Sequence, residues 1–347
     1  MPTARILIVR TSAIGDVVFS TPFAAALRRS HPQAHIAWVV EPGIHELLVG
    51  NPHIDELILW PKGEWKQLWR QRRLGELHTR VRAFSRMLKA KGFDTAIDLQ
   101  GLLKSGWLAW LTGAPRRIGL GSREGSQWLM TEVLPRGGDI ARISSEYRYL
   151  AEHLELDVGD FLPELYPGDP AEAQVQALLT KNGLLPGRYA VLAPFTTRPQ
   201  KHWFESAWQT LAQRVRDELG LTPVIMGGPM ERMAAERIAS GVAGVVNLAG
   251  ETRLPEAAAL IRQSGLLIGV DTGLTHMGAA FDTPTVAIFG STCPYRGTGK
   301  ANFRVLWLGL ECSPCHRHPS CHGAFPCLRE ITPELVFDAA SDILGSR

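Results

Sequence analysis

The feature that most constrains the fold is an alternation of short β-rich apolar runs with helical segments, which continues along the whole chain. This alternation is typical of βαβ units, which build parallel sheets with helices on both faces. In the first half we predict strands at 6–9, 36–40, 57–60 and 95–99. In the second half we predict strands at 189–193, 223–226, 245–248, 266–270 and 285–289. The predicted fold class is therefore α/β, with doubly wound sheets.

Two domains are expected because the 347 residues exceed one ordinary α/β unit, which holds roughly 150–170 residues. The segment 161–170 carries three prolines and a glycine and interrupts the alternation, so we place the boundary there. The predicted domains are 1–165 and 166–347, and the last helix is a candidate to pack back on the first domain. Ligands of doubly wound sheets bind at the carboxyl ends of the strands, so we expect the domains to face each other across a cleft.

No segment of the sequence has the features of a membrane span or a secretory signal. The longest apolar runs are far shorter than the ~20 residues that cross a bilayer. The N-terminus enters the first predicted strand almost directly, without the successive charged, apolar and small-residue regions of a signal peptide. We therefore expect a cytoplasmic protein.

Positive charge is concentrated in one segment. The whole chain has a net charge of only +3, but residues 62–91 contain ten Lys or Arg and two Glu. This asymmetry favours an anionic partner, which a long basic helix predicted near 67–89 would contact. Trp65, Leu68 and Trp69 fall on one face of that segment at helical spacing. The alternative is that the tryptophans belong to the core and the cations are merely solvated.

The first chemically suggestive motif is R-T-S-A-I-G-D at 10–16, which follows the first predicted strand and opens a helix. Its single glycine excludes the three-glycine dinucleotide fingerprint. For the same reason we discount Glu41, which stands where a ribose-binding acid would. Asp16 is the candidate functional residue, although an acid in the first turn of a helix is also favoured by the helix dipole alone.

Three further motifs follow strands of the second half. In A-P-F-T-T-R-P-Q-K-H-W at 193–203, hydroxyl groups and a lysine are suited to phosphate oxygens. In M-G-G-P-M-E at 226–231, the acid is either a ribose ligand or an ordinary helix acid. In V-D-T-G-L-T-H at 270–276, free N–H groups at a helix start favour an anion. The candidate ligands are Thr196, Thr197, Lys201, Glu231, Asp271, Thr272, Gly273, Leu274 and His276.

Taken together, these four motifs resemble those of the bacterial ADP-heptose:lipopolysaccharide heptosyltransferases, in the same order and at similar spacings. The resemblance implies an inverting glycosyltransferase of the GT-B fold, with two Rossmann-like domains. The first would bind the lipopolysaccharide acceptor and the second the donor, ADP-L-glycero-β-D-manno-heptose. It further implies that the reaction needs no cofactor or metal, and that the protein works peripherally at the anionic inner membrane. We expect no nucleic-acid partner and a monomer.

The resemblance also assigns roles to individual residues. It makes Asp16 the general base, and Lys201 and His276 the other catalytic residues. Thr196, Thr197 and Lys201 would hold the diphosphate, Glu231 the ribose, and the loop 250–252 with Thr252 the adenine. The segment D-L-Q-G-L-L-K-S at 98–105 also resembles the family. The acceptor-binding residues implied are Lys62, Lys66, Asp98, Gln100, Lys104 and Arg123.

Two alternatives to this function stay open at the level of sequence. One is a GT-B glycosyltransferase with a different nucleotide sugar or a protein acceptor, and the other is a catalytically silent nucleotide-sugar binding protein. A cysteine cluster near the C-terminus is a separate question. The spacing of its first pair suits zinc, but a second C-x-x-C is missing, so free thiols are the preferred interpretation. The cluster contains Cys312, Cys315, Cys321 and Cys327, with His316, His318 and His322 among them.

Overall fold

The computed structural model describes residues 3–315 and 318–345. The chain divides into two compact units. The first contains Met1–Asp139 and Ser144–Tyr166, and the second contains Ile140–Ile143 and Pro167–Arg347. The main division after Tyr166 lies one residue beyond the boundary placed at 165. The segment Ile140–Ile143 belongs to the second unit because it hydrogen-bonds there: Ile143 N donates to Gly297 O at 2.9 Å, and Arg296 N donates to Ile140 O at 2.8 Å.

The first unit is a six-stranded parallel sheet with helices. Its strands are β1 (Arg5–Val9), β2 (His35–Val40), β3 (Glu56–Leu59), β4 (Thr95–Asp98), β5 (Arg116–Leu120) and β6 (Glu132–Leu134). Its helices are α1 (Ile14–Ser30), α2 (Lys62–Arg70), α3 (Leu74–Ala90), α4 (Leu103–Leu111) and α5 (Ser145–His153). The strand order is β3-β2-β1-β4-β5-β6, the Rossmann order, in which the direction of winding reverses between β1 and β4.

The second unit repeats this topology. Its strands are β7 (Tyr189–Ala193), β8 (Thr222–Ile225), β9 (Val246–Asn247), β10 (Leu266–Val270), β11 (Thr285–Ile288) and β12 (Phe303–Leu306). Its helices are α6 (Asp169–Lys181), α7 (Glu205–Leu219), α8 (Arg232–Ala239), α9 (Leu254–Arg262), α10 (Gly273–Met277), α11 (Pro326–Arg329) and α12 (Pro333–Gly345). The order β12-β11-β10-β7-β8-β9 places the reversal between β7 and β10. Both units are therefore Rossmann-like, as predicted.

The central strands form because their sequences are continuous apolar runs. Strands β7 and β10 are buried along their whole length, as expected for a parallel sheet covered on both faces. The last helix, α12, packs on the core of the second unit, where Phe337 and Ile343 join Trp208 of α7. The apolar face of α12 thus joins the core of the unit from which the helix emerges.

The basic segment differs from the single long helix that we predicted near 67–89. It forms two helices, α2 and α3, because the chain turns at residues 71–73 with Arg72 in the left-handed region, at φ 57°. Strands β5, β6 and β12 were not predicted. Among the described residues, no helix combines the length and the apolar character that crossing a bilayer requires.

Candidate functional site

The second unit gathers several predicted residues where its sheet reverses, at the carboxyl ends of β7 and β10. Asp271 follows β10 directly, and Lys201 ends a short 3-10 helix in the loop after β7. The loop after β10 turns tightly, since a Cβ on Gly269 would lie 2.1 Å from Thr275 Oγ1. That close approach requires glycine at this position of β10. Helix α10 begins at Gly273, two residues after Asp271.

Asp271 is the centre of this cluster. Its Oδ2 accepts hydrogen bonds from Lys201 Nζ at 2.5 Å and from Thr292 Oγ1. Its Oδ1 lies 2.9 Å from His276 Nε2, which must be the donor because an ionised carboxylate only accepts. Burial alone would raise the pKa of Asp271, but the hydrogen bond and charge of His276, together with Lys201, hold that pKa well below its ordinary value. The carboxylate is therefore ionised at neutral pH.

His276 is enclosed by the protein and does not face solvent. Only 4% of the residue is exposed, and its second ring nitrogen, Nδ1, lies 2.9 Å from the Tyr295 hydroxyl. Phe289 and Tyr295 also pack against the ring, with centroids 6.1 and 5.6 Å away. Both ring nitrogens are thus bonded within the protein, so the expectation that His276 contacts substrate directly needs correction. Its geometry suits a residue that orients Asp271.

The accessible part of this cluster is the start of α10 and the loop after β7. Thr272, Gly273 and Leu274 are partly exposed, although the residues on either side of them are buried. Thr197 is exposed and Thr196 is partly buried, with its carbonyl accepting a hydrogen bond from His202 Nε2 at 2.8 Å. Lys201 lies in the same loop as Thr196 and Thr197 and is bonded to Asp271, which precedes α10; its side chain is 17% exposed. The predicted diphosphate ligands and Lys201 therefore share one sheet edge.

Two further loops of the second unit come together at the ends of β8 and β9. Gly250 N donates to Gly227 O at 2.9 Å, and a Cβ on Gly250 would lie 3.0 Å from Pro229 Cα. This contact places the loop that carries Glu231 beside the loop 250–252. Glu231 and Thr252 are both partly buried. Glu251, between Gly250 and Thr252, is bound to Arg232 at 2.7 Å.

The first unit has a corresponding cluster at the carboxyl ends of β1 and β4. Asp16 lies in the first turn of α1, where its Oδ2 accepts a hydrogen bond from Ala13 N at 3.1 Å and forms an ion pair with the Arg10 guanidinium at 2.7 Å. The Asp16 side chain remains 44% exposed. A carboxylate that stays accessible at the edge of the sheet meets one requirement of a general base.

Asp98 and Gln100, two predicted acceptor ligands, are buried instead. Asp98 is fully enclosed: its Oδ1 accepts from Gln100 N and Gly101 N at 2.9 and 3.1 Å, and its Oδ2 accepts from Ser105 Oγ at 3.0 Å. Burial raises the pKa of Asp98 to about 6. The Gln100 amide oxygen accepts from Thr11 N and Thr11 Oγ1. Gln100 thus joins the loop after β4 to the loop after β1, while Asp98 organises the loop after β4, so a direct contact with acceptor is not supported.

The predicted basic acceptor ligands differ in their partners and in their exposure. Lys62 Nζ and Lys104 Nζ lie 2.9 and 4.0 Å from Glu41 Oε1, so Glu41 binds lysines rather than a ribose. Burial and the charge of Lys62 lower the pKa of Lys104. Lys66 and Arg123 are exposed. In the first unit, Lys62 and Lys104 therefore form a compact cationic pair on Glu41.

The aromatic face predicted on the basic segment is only partly accessible. Trp65 and Leu68 are 8% and 5% exposed and belong to the core of the first unit, as the alternative interpretation held. Trp69 is 66% exposed, and Leu74 at the start of α3 is 53% exposed. The cations of α2 and α3 thus surround a smaller apolar surface than expected.

The cysteines are free thiols in this structure. Cys327 is buried, and burial raises the pKa of its thiol to about 11, which favours the neutral form. Among residues 3–315 and 318–345, no group of three or more Cys, His, Asp or Glu is arranged to hold a metal ion. His316 lies outside the described residues.

Three residues of these clusters were missed in the sequence. Thr292 and Tyr295 come from the loop after β11, whose signal was a polar G-S-T segment following a buried strand. Arg10 was quoted in a motif but given no role. The two Rossmann-like sheets, with polar clusters where each reverses, are the architecture of the GT-B fold.

Comparison with known proteins gives the family. Residues 81–324 match the model of glycosyltransferase family 9 (heptosyltransferase), and the chain belongs to this family. Lipopolysaccharide heptosyltransferase 1 of Pseudomonas aeruginosa is 32% identical over 330 residues, covering 90% of this chain and 86% of the relative. A family 9 glycosyl transferase from Veillonella parvula has a TM-score of 0.84 at 25% identity, covering 99% and 98%. The E. coli heptosyltransferase WaaC with ADP-2-deoxy-2-fluoro heptose has a TM-score of 0.73 at 27% identity, covering 97% and 99%.

Proposed function

We propose that this glycosyltransferase transfers L-glycero-D-manno-heptose from ADP-heptose to the inner core of lipopolysaccharide, with inversion at the anomeric carbon. The observation that carries the proposal is the cluster of Lys201, Asp271 and His276 at the reversal of the second sheet. It lies where Rossmann-like folds bind nucleotides. The solved WaaC structure, 27% identical, contains an ADP-heptose analogue by its description, which supports the same donor class here.

The donor would lie along the second unit's sheet edge. Lys201 has three N–H donors and uses one on Asp271, so the others are available to diphosphate oxygens. The partly exposed start of α10 and the hydroxyls of Thr196 and Thr197 add neutral donors. Glu231 would accept hydrogen bonds from the ribose hydroxyls, and the neighbouring loop 250–252 would meet the adenine.

The chemical step needs a base and a stabilised leaving group. Asp16 takes the proton of the acceptor hydroxyl, whose oxygen forms the new bond to the anomeric carbon. As that bond forms, the bond from the carbon to the diphosphate oxygen breaks, and ADP departs with the electron pair. Lys201 and the surrounding N–H groups stabilise the charge that develops on the diphosphate, so we propose that no metal is required. His276 acts through Asp271, which in turn fixes Lys201.

We further propose that the protein acts in the cytoplasm, as a monomer, at the face of the inner membrane. A lipid-linked acceptor with phosphate and carboxylate groups is polyanionic, and Lys62 and Lys104 form a cationic pair at the acceptor unit's sheet edge. The basic residues of α2 and α3, with Trp69 exposed among them, are suited to an anionic lipid surface.

The test is a transfer assay with defined substrates. Purified protein is incubated with ADP-heptose and lipopolysaccharide that ends in Kdo or in a first heptose, and ADP release and the mass of the acceptor are measured. We expect one heptose added with inverted anomeric configuration, and Asp16→Ala to reduce transfer to a small residual rate while calorimetric donor affinity stays nearly intact. Turnover of another nucleotide sugar only, or of a protein acceptor, would support the second interpretation. Donor binding without any turnover would support a silent binding protein.

A further inference from the structure

Arg10 stands at the end of β1 with its side chain directed into the first unit. Only 5% of the residue is exposed. Its backbone carbonyl accepts a hydrogen bond from the buried indole of Trp38 at 2.9 Å, which fixes the main chain at this point. Its guanidinium carbon lies 5.9 Å from the centre of the Tyr147 ring, so the aromatic face limits movement of the cation on that side.

The two terminal nitrogens of Arg10 contact different elements. Nη1 donates to Leu99 O, at the end of β4, over 3.2 Å. Nη2 pairs with Asp16 Oδ2 over 2.7 Å. Because the guanidinium is planar and rigid, these two contacts fix the position of Asp16 relative to the end of the neighbouring strand. Burial alone would lower the pKa of Arg10, but Tyr147 and Asp16 outweigh that effect and the pKa is raised, so the cation persists.

The ion pair with Arg10 and the hydrogen bond from Ala13 fall on the same carboxylate oxygen of Asp16. Oδ2 pairs with Arg10 Nη2 and accepts from Ala13 N, and within the described residues Oδ1 receives no protein donor. An aspartate on the rim of a helix otherwise samples several rotamers, and each wrong one removes the base from the hydroxyl. The contacts with Arg10 and Ala13 select a single orientation.

We propose that Arg10 is a positioning residue for the transfer reaction: it holds Oδ2 of Asp16 so that Oδ1 receives the proton of the acceptor hydroxyl. This inference rests on the proposed function, in which Asp16 is the general base. The proton of the acceptor hydroxyl then goes to Oδ1 of Asp16, and the buried Arg10 acts through Asp16 rather than on substrate.

The experiment compares Arg10→Met with Arg10→Lys and with a matched control. Arg28→Met removes another arginine of the first unit that pairs with an aspartate, Asp55, at 2.6 Å, near the other end of α1. We expect Arg10→Met to lower kcat about 10–100-fold, with calorimetric donor Kd and the acceptor KM changed less than about threefold. Arg10→Lys should give an intermediate kcat, since an ammonium can meet Asp16 but cannot span to Leu99. Arg28→Met should lower the unfolding temperature and leave kcat unchanged.

A double variant separates positioning from a general structural effect. If Arg10 acts only through the base, adding Arg10→Met to Asp16→Ala should leave the residual rate unchanged. A further loss in the double variant would overturn the inference, and so would wild-type kcat in Arg10→Met beside an inactive Asp16→Ala. Should Arg10→Met fail to fold, wild-type kcat in Arg10→Lys is the overturning result. Active Asp16→Ala would instead refute the proposed base itself, a distinct failure.

Discussion

Replacing Asp271 by Asn removes the negative charge from the centre of the second unit's cluster and preserves the shape of the side chain. Asp271 is 8% exposed and is bonded to Lys201, Thr292 and His276. The substitution leaves the ammonium of Lys201, on a side chain only 17% exposed, without its carboxylate partner. A half-buried cation without a counter-charge destabilises the folded state.

The magnitude follows from the burial of the pair. Removing one partner of a buried ion pair costs about 3–5 kcal/mol. Asparagine keeps an oxygen for the hydrogen bond from His276, and Lys201 reaches water in part, so we expect a loss of about 2–3 kcal/mol. For a unit of this size each kcal/mol shifts the unfolding midpoint by about 2–4 °C, which predicts a shift on the order of 5–10 °C.

The loss should also depend on pH in a defined direction. The folded state holds the pKa of Asp271 far below its ordinary value of 3.8, so folding is favoured by the ionised form. The stabilisation is complete above about pH 4 and is lost as the pH falls further. The difference between wild type and Asp271→Asn should therefore be constant from pH 5 to 7 and shrink below pH 4.

Urea unfolding at several pH values measures this, with Glu218→Gln as the control. Glu218 pairs with Arg214 on the surface of α7 in the same unit, and exposed pairs contribute little. The two units can unfold separately, so transitions are fitted individually. A loss in Asp271→Asn no larger than that of Glu218→Gln, or one that is equal at pH 3 and pH 7, would show that the charge of Asp271 does not organise the cluster.

Three further outcomes are expected. Lys201→Ala should lower kcat about 100-fold, the usual effect of losing one stabilising donor, while EDTA leaves the wild type active; activity restored only by magnesium or manganese would contradict this. Because burial raises the pKa of Asp98 to about 6, the folded state retains that proton longer than the unfolded chain. Stability should therefore fall by about 2 kcal/mol as pH rises from 4 to 6, and Asp98→Asn should remove that slope in urea titrations. Binding of the protein to anionic liposomes should weaken as salt is added and when four cations of α2 and the turn after it are neutralised. If binding changes with neither, the basic surface is only solvated. The four substitutions are Lys66→Gln, Arg70→Gln, Arg72→Gln and Arg73→Gln.

The central strands were predictable from sequence because they are buried on both faces. Strand β10, L-L-I-G-V, is continuously apolar, a pattern that favours a strand buried on both faces. The strands toward the edges were harder. Strand β5 begins with two exposed or half-exposed arginines, and β6 has only three residues, so neither carries a strong pattern. The break between α2 and α3 was missed because the left-handed conformation at Arg72 has no glycine to signal it.

The positions of candidate site residues were predictable where those residues directly follow strands. Asp16, Lys201 and Asp271 could be placed at the ends of strands from the sequence alone, because parallel strands bring the loops after them to one edge of a sheet. What the sequence did not reveal is which polar groups satisfy one another. The sequence predicted His276 and Asp98 as ligands, but their side-chain polar atoms form hydrogen bonds with other groups of the protein.

Each unit contains an ion pair at the equivalent position of its sheet. In each, a cation from the loop after the sheet's first strand reaches across to the end of its fourth strand: Arg10 to Leu99 in one, Lys201 to Asp271 in the other. A cation enclosed by protein needs a carboxylate, and the partners are Asp16 and Asp271. The first pairing leaves the carboxylate exposed, which suits a base. The second buries the carboxylate and leaves the lysine half-accessible, which suits an anion ligand. The buried partner is the cation in the first unit and the carboxylate in the second, so the same topology leaves a carboxylate accessible in one and a lysine partly accessible in the other.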